Sequence, residues 1–167
     1  LMQTELPAPM QEEVNEGITK VFEVIGSVNW TVMIFSFLFY FLGGYLLYSA
    51  LFAAIGSAVD NETDTQQFML PITVPLILGI VVAQTVIENP EGPLAFWFSI
   101  IPLTSPIIMM VRIPFGVPFG ELALSMALLV AAFIGAVWLA ARIYRTGILM
   151  YGKKVTYGEL LKWLKQS

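Results

Sequence analysis

An all-α bundle of helices crossing a lipid bilayer is the fold class that this sequence of 167 residues predicts. Three observations predict it. Apolar residues make up 57% of the chain and charged ones 12%, against about 25% charge in an ordinary soluble domain, which leaves too little charge to cover a watery surface. Between Glu23 and Asp60 no residue is charged, a run far longer than the roughly 20 residues that cross the hydrocarbon core. Finally, Arg142, Arg145, Lys153, Lys154, Lys162 and Lys165 collect behind the last apolar run.

In chain order, residues 1–28 read as an extracytoplasmic linker followed by an amphipathic helix. Met10, Val14, Ile18, Val21, Phe22 and Ile25 share one face, and Glu12, Glu13, Glu16 and Lys20 the other. The transmembrane domain is expected over residues 29–151. Its first span covers about 30–59 and exceeds the core thickness, so it tilts or protrudes. A second, about 68–87, carries Pro71 and Pro75; Pro71 is expected in its first turn, where the missing N–H matters least. The run 93–111 is as apolar, but Pro93, Pro102 and Pro106 divide it into pieces too short to span, which predicts two short helices, re-entrant or interfacial. The last span, about 122–145, is rich in Leu, Ala and Val. Residues 152–167 are expected to form a cytoplasmic tail helix, with Thr156 and Glu159 at capping-box spacing.

Basic residues favour the cytoplasmic side, so the C-terminus is placed there. With three spans, the Asp60–Gln67 loop is cytoplasmic, and the N-terminus and the 88–121 region face outward. Four spans would also satisfy the charge rule; the prolines favour three. The chain opens on Leu1 with no cleavage-site pattern and reads as part of a longer polypeptide.

No Cys or His is present, which removes thiolate nucleophiles, imidazole bases and the usual zinc ligands. No catalytic, cofactor or metal site is expected. The net charge of −4 speaks against nucleic acid as a partner. Gly147–Lys154 approaches a phosphate-binding loop, but Lys154 stands where Ser or Thr would hold magnesium and no buried strand precedes it.

Four groups of residues stand out. Ser49, Ala53 and Ser57 form one small-residue row in the first span, and Ala50, Ala54 and Ala58 the next. Such rows serve either packing within the chain or a dimer or gating contact. Gly43 and Gly44, near Tyr40, Tyr45 and Tyr48, either line a path or fill a lipid-facing groove. In the Pro102–Arg112 stretch, Arg112 is either an arginine snorkelling to the interface or an anchor for the helix pair, with Thr104 and Ser105 capping the second helix and Pro106 in its first turn. Asp60, Glu62 and Asp64 place three carboxylates between two spans, as a solvated turn with Asp64 or Thr65 capping the second helix, or as a contact for another subunit. Up to Ala141 no span contains Asp, Glu, Lys or Arg, which argues against an ion relay; Gln84 and Thr85 are the strongest polar pair of the second span.

Tyr40–Pro75 (YFLGGYLLYSALFAAIGSAVDNETDTQQFMLPITVP) and Pro102–Pro114 (PLTSPIIMMVRIP), in this order, resemble the ABC-2 membrane family of type-2 ABC exporter permeases, in its sodium-exporter-like branch. The resemblance covers about residues 30–151. It implies the C-terminal half of a permease, spans four to six, with paired short helices on the outer side before the last span. It also implies a second permease chain, a cytoplasmic ABC ATPase subunit, and a place in the bacterial cytoplasmic (inner) membrane. The alternative is a non-transporting membrane scaffold or assembly subunit.

Overall fold

The structure, a computed structural model, describes residues 29–59 and 62–147 together with Ile18, Thr19, Phe22 and Gly26. The amphipathic 10–25 segment, Asp60 and the 152–167 tail helix are therefore expectations that lie outside the described residues, apart from those four positions. The described elements are helical: α1 (Trp30–Ala58), α2 (Glu62–Glu88), α3 (Pro93–Ile100), α4 (Ser105–Arg112), a short 3-10 turn (Ile113–Phe115) and α5 (Phe119–Gly147). Three of them, α1, α2 and α5, are long and apolar enough to cross a membrane. At about 1.5 Å per residue, the 29 residues of α1 reach about 43 Å, past a core of about 30 Å.

Each boundary has a local cause. The Asn29 side chain accepts the Val32 N–H at 3.3 Å and starts α1. Pro93 and Pro106 sit in the first turns of α3 and α4, where a proline costs no helical hydrogen bond. Gly116 turns the chain from the 3-10 segment towards α5 with φ +88°, a backbone shape that favours glycine. The start of α2 differs from expectation. It begins at Glu62, so Thr63–Gln67 are helical and Pro71 lies inside the helix. The Thr73 hydroxyl donates to the Met69 carbonyl at 3.0 Å beside it. Asp64 and Thr65 are therefore residues of the first turns, not caps. Carboxylates there stabilise the helix by facing its positive N-terminal end.

The main seam joins α1 to α5. Tyr40, Leu47, Leu122, Leu129 and Ala136 are buried together with Met109 of α4, and Ala54, Ala58 and Ile143 form a second cluster. Partners advance in the same direction on both helices, from Val32 beside Leu122, through Gly43 against Leu129, to Ala54 and Ala58 with Ile143. The first and last spans thus run parallel. With α2 returning between them, the chain crosses three times, and the α3–α4 pair brings it back to the end from which it entered. Exposed side chains such as Phe35, Phe41, Ile77, Ile134 and Trp138 cover the outer faces, a surface suited to lipid rather than water.

Candidate functional site

The α3–α4 hairpin is the part of this chain in which backbone leaves regular helix deep inside the bundle. Eight residues of α3 advance about 12 Å, close to half the hydrocarbon thickness. The connecting turn meets the middle of two spans. A Cβ on Gly44 of α1 would lie 3.0 Å from the Pro106 ring, and one on Gly79 of α2 would lie 3.2 Å from Ile107 and 3.8 Å from Thr104. Gly44 and Gly79 both fall within the middle third of their helices. The pair is therefore re-entrant in shape and not a surface feature, and glycine at position 44 is what lets Pro106 approach.

Backbone polar groups at that depth must be satisfied by protein, because lipid offers no partner. Sequence and geometry meet this demand. Prolines 102 and 106 bring no N–H to the turn. The Thr104 and Ser105 N–H groups donate to the Ile101 carbonyl at 3.0 and 2.8 Å. The Thr104 hydroxyl donates to the Phe98 carbonyl at 2.6 Å and lies 3.2 Å from that of Ile101. The Tyr48 hydroxyl, from α1, donates to the Leu103 carbonyl at 2.6 Å. Thr104 does occupy the cap position of α4, but its side chain makes no capping bond; it satisfies the carbonyls left by the end of α3. Ser105 is buried and reaches the Pro102 carbonyl at 3.5 Å, a long contact.

At the other end of the hairpin Arg112 closes the structure. It is 4% exposed, so its side chain turns into the protein and not out to the interface. Its Nε donates to the Pro90 carbonyl at 2.8 Å and its Nη1 to the Ser99 hydroxyl at 2.8 Å. Its Nη2 pairs with Glu121 of α5 at 2.9 Å. Ser99 in turn donates to the Ala95 carbonyl, and Ser125 of α5 donates to the Ser99 carbonyl at 2.6 Å. One guanidinium thus ties the loop before α3, the body of α3, the end of α4 and the start of α5. Burying it is tolerable because its charge is paired and hydrogen-bonded. Sequence reasoning missed Glu121, Ser99 and Ser125. A lone arginine beside an apolar run was the available signal, since its counter-charge had to come from a nearby carboxylate.

The small-residue rows divide. Ala54 and Ala58 are buried and Ala50 packs against the same seam. Ser49 and Ala53 are exposed, and the Ser57 hydroxyl donates to its own helix at Ala54, 2.8 Å away. Packing within the chain therefore uses the alanine row and leaves Ser49 and Ala53 on an outer face. Tyr40 is buried in the seam, Tyr48 holds the hairpin, and Tyr45 points outward at 65% exposure. Gln84 and Thr85 lie on an exposed face of α2. Asp64 is half-buried near the start of α2, while Asp60 lies outside the described residues. Among the described residues no cluster of acidic side chains could hold a metal ion.

Residues 17–142 match the sequence model described as ABC-2 family transporter protein. The chain belongs to that family. The chain is also similar to uncharacterized protein YhaP of Bacillus subtilis, 30% identical over 83% of this chain and 33% of its own length, and to uncharacterized protein MJ1024 of Methanocaldococcus jannaschii, 29% identical over 75% of this chain and 31% of its own length. The chain thus spans about a third of the length of these relatives. No solved structure matches. The ABC-2 match takes in the first two spans, the re-entrant pair with its Arg112 clasp and most of α5.

Proposed function

We propose that this chain is the C-terminal half of the permease subunit of an ATP-driven exporter, contributing three spans and the re-entrant hairpin to the translocation path. The observation that carries the reading is the hairpin itself. Non-helical backbone held at mid-membrane depth by Tyr48 and Thr104 is tolerated only where protein or a water-filled passage surrounds it, and transporters concentrate broken helices at such places. In this reading ATP is hydrolysed by a separate cytoplasmic ABC ATPase subunit, and the spans shift against one another in response.

The remaining assignments follow from charge and exposure. The basic residues behind α5 support a cytoplasmic C-terminus, with the hairpin's open end, Arg112 and Glu121 on the outer side of the cytoplasmic membrane. The segment with Asp60, Glu62 and Asp64 then faces the ATPase subunit, where carboxylates pair with basic side chains across an interface. Ser49 and Ala53, small and exposed, are the face offered to a second permease chain or to the rest of the polypeptide.

The test is reconstitution of the full-length polypeptide that contains this chain, with a candidate ABC ATPase subunit. Hydrolysis that rises on reconstitution, and falls back when Asp60, Glu62 and Asp64 are neutralised together, is the expected result. An ATPase that neither co-purifies nor changes its rate would favour a non-transporting scaffold.

A further inference from the structure

Beside the Arg112 clasp lies an open cavity of about 410 Å³ whose walls include Glu91, Phe96, Arg112, Phe115, Val117 and Glu121. Its charge is unbalanced. Arg112 supplies the positive charge in this wall, and all three of its guanidinium nitrogens are engaged, with Pro90, Ser99 and Glu121. One Glu121 oxygen takes the ion pair, which leaves its second oxygen and the whole Glu91 carboxylate. Glu91 is exposed and has no cationic partner among the described residues. The same wall includes two aromatic residues, Phe96, half-buried, and Phe115, 53% exposed.

Surplus carboxylate next to aromatic rings is the surface that recognises an organic ammonium group: the carboxylates neutralise its charge, and the ring faces attract a cation that carries little bound water. A bare metal ion fits less well, because the described residues offer no group of acidic side chains close enough to hold one and phenyl rings do not replace lost water. An anion would meet Glu91 and Glu121 beside a guanidinium whose charge is already paired with Glu121. We propose that this cavity binds a primary or quaternary ammonium group, presented either by a soluble amine or by an aminophospholipid headgroup. The cavity is formed within this chain, so the proposal holds whether or not an ATPase drives transport.

The full-length polypeptide in phosphatidylglycerol nanodiscs is titrated calorimetrically with tetramethylammonium and with ethanolamine, and wild type is compared with E91Q and with F115L. Saturable binding that weakens about tenfold in E91Q and about threefold in F115L, and that equimolar sodium leaves unchanged, is expected. In discs containing phosphatidylethanolamine, loss of soluble-amine binding together with lipid retained by wild type and not by E91Q assigns the ammonium group to the lipid headgroup. Unaltered binding there assigns it to a soluble amine. No saturable binding of either amine and no retained phosphatidylethanolamine overturns the proposal. So does equal affinity in E91Q, or displacement by sodium at equal concentration. Glu91 makes no contact within the clasp, so E91Q tests the cavity without unmaking the hairpin, and ATPase stimulation measured on the same samples reports separately on the transporter reading.

Discussion

The Tyr48 hydroxyl of α1 and the Leu103 carbonyl at the hairpin tip are 2.6 Å apart, and this bond fixes the turn of the re-entrant pair to the middle of a span. Removing the hydroxyl leaves a carbonyl without that donor in a medium that offers no other. Tyr48→Phe, which preserves the ring, should lower stability by about 1–3 kcal/mol, read as an earlier transition in thermal or SDS titration of the full-length protein. An unchanged midpoint would mean that water reaches the tip.

Arg112 and Glu121 should behave as a coupled pair. Arg112→Met abandons a carboxylate and frees the Ser99 hydroxyl and Pro90 carbonyl, with a loss of about 3–5 kcal/mol typical of broken buried pairs. Glu121 is 26% exposed, so water screens part of the loss in Glu121→Gln, and a smaller effect is expected. In the double variant the two effects should sum to more than the measured loss. Strict additivity would show that the pair contributes nothing beyond its separate contacts.

Gly44 and Gly43 offer a paired steric test. An added methyl at 44 meets the rigid Pro106 ring at 3.0 Å, whereas one at 43 meets the rotatable end of Leu129 at 2.8 Å. Gly44→Ala should destabilise by about 1–3 kcal/mol through displacement of the hairpin. Gly43→Ala should be nearly neutral, since Leu129 can turn aside and alanine favours helix. The reverse order would refute this placement of the hairpin tip.

The two small-residue rows should respond differently to bulk. Ala54→Leu forces three further carbons into the contact with α5 and should destabilise the chain itself. Ala53→Leu sits on an exposed face and should leave the unfolding transition in place while weakening association with a second chain, measured by cross-linking in native membranes. If both variants unfold alike, the rows are not distinct.

Membrane orientation is testable with single cysteines, because this sequence has none of its own. In intact cells, cysteines replacing Asn61 or Lys153 should be shielded from an impermeant thiol reagent, and one replacing Asn89 should react. Labelling at position 61 from outside would invert the topology.

Much of this fold is legible residue by residue. The charge-free run before Asp60 specifies α1, and Pro93, Pro102 and Pro106 break the third run where the structure breaks it, because length and proline chemistry act locally. The early start of α2 was not legible: Glu62–Gln67 is polar, so hydropathy places it in a loop, although its carboxylates suit a helix N-terminus. Arg112 stood undecided between two alternatives because its environment depends on where Pro90, Ser99 and Glu121 arrive in space. The Thr104 hydroxyl serves the Phe98 and Ile101 carbonyls and makes no capping bond to α4, a choice made only by tertiary geometry.

The parallel seam of α1 and α5 bears on how the chain is made. Among the described helices the ribosome delivers α1 before the others, yet the helix that buries Tyr40, Leu47 and Ala54 follows only after α2 and the hairpin. Until then α1 is without its α5 partner. A nascent chain arrested before Phe119 therefore exposes to quality-control proteases the surface that the finished bundle conceals.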